Sequence, residues 1–153
     1  MMHYIIDGNN LLHKIKNLEA ILKKDKQAPR EKLASMVDRF AAGKNLKVSL
    51  HFDGFENVPI KSDRIRIYYS NKNTADEEIR NEIESAKNSR NLIIVTSDDA
   101  LKQFARKCGC KSVLSEEFAS QLKGKDEPDE EDSRIKSIDN QEYFKKLFND
   151  KRK

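Results

Sequence analysis

HYIIDGNN, residues 3–10, decides the reading of the chain: a short apolar strand, His3–Ile6, runs into Asp7, and Gly8-Asn9-Asn10 turns the chain toward a helix. The same handover recurs. Leu46, Val48, Leu50 and Phe52 alternate with polar residues up to Asp53-Gly54, and Leu92–Val95, the most apolar segment, runs through Thr96-Ser97 into Asp98-Asp99. Ile65–Tyr69 reads as a short strand, followed by Thr74, three residues before Glu77 as in a capping box, with Asp76 in the first helical turn. Strands alternating with helices argue for a parallel sheet covered on both faces. Its strand C-termini then share one edge, where open sheets bind ligands.

Between these strands the apolar residues recur at helical spacing. Leu11, Leu12, Ile15, Leu18, Ile21 and Leu22 predict a first helix. A second, following Gln27-Ala28-Pro29, carries Leu33, Met36, Val37 and Phe40 and stops near Gly43. Ile79, Ile83 and Ala86 face inward from a third, and Leu101, Phe104 and Ala105 from a fourth. Lys111–Leu114 makes a last strand, and Ser115 opens a helix through Leu122.

With 153 residues, 37% hydrophobic and 37% charged, the chain fits one α/β domain over residues 1–123. From Gly124 the sequence GKDEPDEEDSR lacks apolar residues, so 124–139 reads as an acidic, disordered linker. Tyr143, Phe144, Leu147 and Phe148 predict a short amphipathic helix with a basic end over 140–153. No apolar run reaches the ~18 residues of a membrane span, and the N-terminus lacks signal-peptide features, so a cytoplasmic protein without membrane attachment is expected. Cys108 and Cys110 fit reduced, partly buried thiols better than a disulfide framework or a zinc site. The net charge is +4, but residues 1–123 hold 22 Lys/Arg against 17 Asp/Glu, a basic surplus that suits a polyanionic partner.

Each strand-end aspartate has a bland use. Asp7 suits a helix N-cap, Asp53-Gly54 is a common turn dipeptide, and Asp76, Asp98 and Asp99 suit helix N-termini. Yet Asn9 and Asn10 can cap in place of Asp7, Glu77 and Glu78 can serve the dipole in place of Asp76, and one of Asp98 and Asp99 is surplus. Gathered carboxylates repel unless they share protons or bind a cation. Oxygen-only donors suit Mg²⁺ or Mn²⁺, and metal-assisted phosphodiester hydrolysis needs only such parts.

IIDGNNLL, VSLHFDG, NTADEEI and IIVTSDDAL, in this order and followed by Leu114-Ser115-Glu116-Glu117-Phe118, resemble the NYN domains, in particular the YacP-like proteins related to PIN nucleases. The resemblance covers residues 3–122. It implies a three-layer α/β/α PIN-like fold with a mainly parallel sheet and divalent-metal-dependent endoribonuclease activity, with ribosome-associated messenger RNA as a target in some relatives. It makes Asp7, Asp76 and Asp98 the metal-binding set, with Asp53 beside them orienting a ligand or a water. Asn10, Thr96 and Ser97 become supporting or phosphate-contacting residues. Three departures stand out: the family's DGYN is DGNN here; Asp99, placed with the supporting residues, replaces a basic or small residue and adds negative charge that would mean a second metal or a changed role; and the acidic tail has no counterpart in the family pattern.

RNA would draw on basic residues expected near the same edge: Lys14, Lys16, Lys61, Arg64, Arg66 and Lys72, with Phe55, Tyr68 and Tyr69 as stacking platforms. A monomer or weak homodimer is expected. The competing reading is a catalytically silent RNA- or ribosome-binding module of the same fold. A phosphoacceptor receiver would carry its Asp pair after the first strand, and a haloacid-dehalogenase-type phosphatase would need Asp where Asn9 stands.

Overall fold

The computed structural model describes residues 1–126: residues 124–126 of the expected acidic linker are the end of a helix, and the rest of that linker and the C-terminal amphipathic helix lie outside the described residues. The chain divides into two compact units, Met1–Ala119 and Ser120–Lys153, and of the second only the end of one helix is described.

Five strands form one parallel sheet: β1 Met2–Asp7, β2 Leu46–Phe52, β3 Arg66–Tyr69, β4 Leu92–Val95 and β5 Lys111–Val113, in the order β3-β2-β1-β4-β5. The helices are α1 Gly8–Leu12, α2 Lys16–Leu22, α3 Gln27–Ala41, α4 Ala75–Ser85, α5 Asp99–Lys107 and α6 Ser115–Asp126. This is the expected α/β architecture. Strand order reverses between β1 and β4, which pair His3↔Leu92 through Ile6↔Val95, so a crevice opens beyond their C-terminal ends.

Side chains alternate across the sheet, and that parity assigns the faces. Ile5 and Ile94 point to one face and pack with Ile79 and Ile83 of α4 and Leu101 and Ala105 of α5. On the other, Tyr4 meets Phe40 of α3 and Phe118 of α6 at centroid distances of 5.4 and 5.9 Å. All four residues of β4 and the last five of β2 are buried, as a sheet covered on both sides requires. The capping box of α4 forms as expected: Thr74 Oγ1 accepts from Glu77 N at 3.1 Å, and Thr74 N donates to Glu77 Oε1 at 3.0 Å.

Two helix expectations need correction. The first helix is broken: α1 ends at Leu12, Ile15 is extended (φ −115°, ψ 104°), and α2 starts at Lys16. Leu11, Leu12, Ile15 and Leu18 are nevertheless all buried. The break turns the chain without interrupting the apolar spacing, so periodicity could not register it, and Ile21 ends up 41% exposed. Helix α3 begins at Gln27, ahead of Pro29. Proline is tolerated in a first turn, whose N–H groups lack intrahelical partners.

A polar cluster lies under α4 on the Ile5 face. Ser49 Oγ donates to Glu82 Oε2 (2.9 Å), His51 Nε2 bonds Glu82 Oε1 (2.8 Å), and His3 Nε2 bonds Ser49 Oγ (2.8 Å). Burial pushes the Glu82 pKa up, but bonds from His51 and Ser49 outweigh it and hold the carboxyl below its ordinary value. Burial lowers the His3 pKa below 6.5. Both depressed values act in one direction: the unfolded chain binds these protons first, so the stability they contribute is lost as pH falls, below 6.5 for His3 and below 4.5 for Glu82. Glu82→Gln is therefore expected to cost about 1 to 2 kcal/mol at pH 7 and to flatten the acid limb below pH 4.5. Thermal melts of both proteins from pH 3.5 to 8 check this; parallel pH profiles would refute it.

Candidate metal and nucleic-acid site

Beyond the C-terminal edge of the sheet lies an open cleft of about 590 Å³ lined by Asp7, Asp53, Asp76 and Asp98, with Asn9, Asn10, His13 and Asn73 among its other walls. Parity explains the convergence. Asp7 follows His3 and Ile5, and Asp53 follows Ser49 and His51, on the face that α4 covers. Helix α4 brings Asp76 in its first turn.

Asp7 titrates far from an ordinary carboxyl. Its carboxyl is pushed up to about 6, chiefly by burial and further by the charges of Asp53 and Asp76, against hydrogen bonds from Thr96 and the Asn10 backbone that favour the ionised form. Thr96, fully buried, donates from Oγ1 to Asp7 Oδ2 at 3.0 Å and accepts from Asp98 N at 3.1 Å. One hydroxyl thus ties the ends of β1 and β4 across the switch in strand order.

The other three carboxylates each spend one oxygen locally. Asp53 Oδ1 accepts from Ala75 N at 2.6 Å, which fixes the start of α4. Asp98 Oδ1 accepts from Leu101 N at 3.1 Å and so is the N-cap of α5. Asp76 Oδ1 takes Arg80 Nε at 2.6 Å. Among the described residues no group of three or more His, Cys, Asp or Glu is drawn together as a ready coordination shell. The donor chemistry nonetheless suits a hard divalent ion: four carboxylates share one cleft, one of them held against its own ionisation by burial and by two of the others.

The supporting residues are more tightly committed than their positions suggested. Asn10 Oδ1 accepts from Ser97 N (2.9 Å) and Ser115 Oγ (2.6 Å), clipping α1 to the segment after β4 and to the start of α6. Ser97 Oγ donates to Glu116 and accepts from Ser115 N. Asp99 lies outside the cleft lining, its side chain 87% exposed and 3.5 Å from Lys102 Nζ.

Of the basic residues, Lys72 sits in the turn between Asn71 and Asn73, which both line the cleft, and Lys14 follows His13 in the break after α1. Lys16 opens α2. Arg64 and Arg66 are not where expected. Arg66 pairs with Ser49 at the beginning of β3, three residues short of the cleft edge, and Arg64 is ion-paired with Asp38, late in α3. Strand direction decides this: residues that enter a parallel strand stand at the edge opposite those that leave it. Tyr68 is stacked on His51, with centroids 4.9 Å apart, and is 37% exposed, whereas Tyr69 is half-buried under Arg30. Phe55, beside the Asp53 turn, remains 61% exposed.

Four residues gain roles their sequence context did not suggest. Buried Arg30 donates to the carbonyls of Asp53 (2.7 Å) and Phe55 (3.0 Å) and stacks on Phe52 and Tyr69, holding the Asp53 loop. Asn9 Oδ1 accepts from Asp53 N at 2.9 Å. His13 lines the cleft with Nδ1 bonded to Glu19 at 3.1 Å, and Arg80 neutralises Asp76. Only the spacing of Asp76 and Arg80, one helical turn apart, was a readable signal.

No curated protein of established function matches the sequence. Among solved structures, Rae1 (YacP) from Bacillus subtilis superimposes with a TM-score of 0.65 at 17% identity, covering 95% of this chain and 84% of that one. Its W164L mutant gives 0.63 at 17% identity, covering 80% and 74%. At that identity the likeness shows a shared fold. The family model of the YacP-like NYN domain matches residues 4–153, almost the whole chain, and no helix among the described residues is long and apolar enough to cross a membrane. With its strand-end aspartates converging on one cleft of a parallel sheet, the chain belongs to the YacP-like NYN family of PIN-like, nuclease-type domains.

Proposed function

We propose that this protein is a divalent-metal-dependent endoribonuclease that hydrolyses RNA phosphodiester bonds, with Asp7, Asp76 and Asp98 holding Mg²⁺ or Mn²⁺ and RNA on the ribosome as its setting. The observation that carries the reading is Asp7: a carboxylate buried at the reversal of strand order, raised to about 6 and facing two further carboxylates, is ionised at neutral pH only at a cost that a cation removes. When bound, such an ion activates a water and stabilises charge building on the phosphate. The protein's own residues do the rest. Thr96 fixes the orientation of Asp7, Asp53 and the capping box set the start of α4 and with it Asp76, and Lys14 and Lys72 offer charge to the phosphate backbone.

One observation favours the competing reading of a silent RNA-binding module: Asp76 is already neutralised by Arg80. Incubation of purified protein with a defined single-stranded RNA and Mn²⁺ separates the two. Cleavage is expected, abolished by EDTA and reduced at least ~10²-fold in Asp76→Asn, the scale of several kcal/mol of lost charge stabilisation. RNA bound tightly without metal and left uncut would establish the module instead.

A further inference from the structure

The Asp76–Arg80 pair occupies a carboxylate that the proposed reaction needs, and its surroundings suggest why an arginine stands there. Arg80 uses Nε on Asp76, and its guanidinium lies over the Phe104 ring of α5, 4.9 Å from the centroid. Arg80 and Phe104 line a second groove of about 420 Å³ together with Asn73, which also lines the carboxylate cleft. The two depressions therefore meet at Asn73. Glu77 and Glu84 also border this groove, and Glu77 is spent on the Thr74 cap, so any affinity for an anion there rests on Arg80.

We propose that Arg80 is a phosphate-binding residue for the nucleotide flanking the carboxylate cleft, folded back onto Asp76 until a metal ion takes that carboxylate. The inference rests on the proposed nuclease reading. With side chains about one-third exposed, the ion pair is weak enough for a hard dication to displace. Packing on Phe104 keeps the planar guanidinium in place after release, with all its N–H donors free for a phosphate. Metal loading and RNA binding thus draw on the same side chain in opposite senses.

Two titrations test this on the full chain, with Arg80→Gln and, as a variant that keeps charge but loses the planar fork, Arg80→Lys. Calorimetric titration of RNA-free protein with Mn²⁺ is expected to show tighter binding in Arg80→Gln by about fivefold, the loss of a competing ion pair. Binding of fluorescent oligouridine, with Ca²⁺ in place of Mn²⁺, is expected to weaken in the same variant, and its log–log salt slope to fall by about 0.7, one phosphate contact on a single strand. Arg80→Lys should lie between for both. Gains and losses of opposite sign are not produced by a merely loosened helix. Unchanged or weaker Mn²⁺ binding, or an unchanged salt slope, in Arg80→Gln overturns the role of Arg80. If Asp76→Asn leaves Mn²⁺ binding intact, the metal site and the Arg80 proposal fall together; if it abolishes binding while Arg80→Gln behaves as wild type, only the Arg80 proposal falls.

Discussion

Asp7→Asn is expected to remove RNA cleavage and, at the same time, to make the protein more stable at neutral pH. The first half follows from the proposed metal site: an amide is a poor ligand for a hard dication, and loss of at least ~10²-fold in kcat matches several kcal/mol of charge stabilisation. The second half follows from the raised pKa. The unfolded chain loses the Asp7 proton near 3.8 and the folded protein near 6, so over that interval stability falls as pH rises. Two pH units correspond to roughly 2 to 3 kcal/mol, and asparagine, which never ionises, recovers much of it while its carbonyl still accepts from Thr96. Urea unfolding should show the gain at pH 7.5 and little of it at pH 4. Equal or lower stability of Asp7→Asn at pH 7.5 would refute burial as the cause of the shift, whatever the activity does.

Gly8→Ala is expected to destabilise the fold by about 3 kcal/mol or more, at the upper end of overpacking costs. A Cβ at Gly8 would stand 2.5 Å from the His51 carbonyl oxygen and 2.9 Å from two carbons of the Phe52 ring. Neither neighbour can yield. His51 is paired with Asp7 in the β1–β2 register, and Phe52 is fully buried against Tyr69 and Arg30. The glycine is required by close approach, since α1 must start directly on top of β2, and that approach also sets where Asp7 points. Circular dichroism melts should show a drop on the order of 10 °C. A melt within about 2 °C of wild type, well inside one kcal/mol, would mean that β1 and β2 separate more easily than their packing indicates.

The strands, their order of appearance and the four aspartates were legible in the sequence because each depends on local pattern. Alternating apolar residues mark β2, a short apolar run marks β4, and Thr74 with Glu77 marks the start of α4. The broken first helix was not legible, since an extended Ile15 leaves the apolar spacing unchanged. The use of Asp98 as the cap of α5, with Asp99 left to solvent, was equally hidden: adjacent identical residues carry no signal of which one turns inward.

The sequence by itself determined a parallel α/β fold and the carboxylates at its strand ends, because hydrophobic period and turn chemistry are properties of neighbours along the chain. Tertiary structure decided which charges meet. Arg64 and Arg66 belong to the opposite edge because parallel strands separate the residues that enter from those that leave. Asp7 is raised by burial and by Asp53 and Asp76, some 46 and 69 positions away in sequence, and Thr96, 89 positions on, orients it. Burial, charge proximity and hydrogen bonding act through space, and only the folded sheet brings these groups within reach of one another.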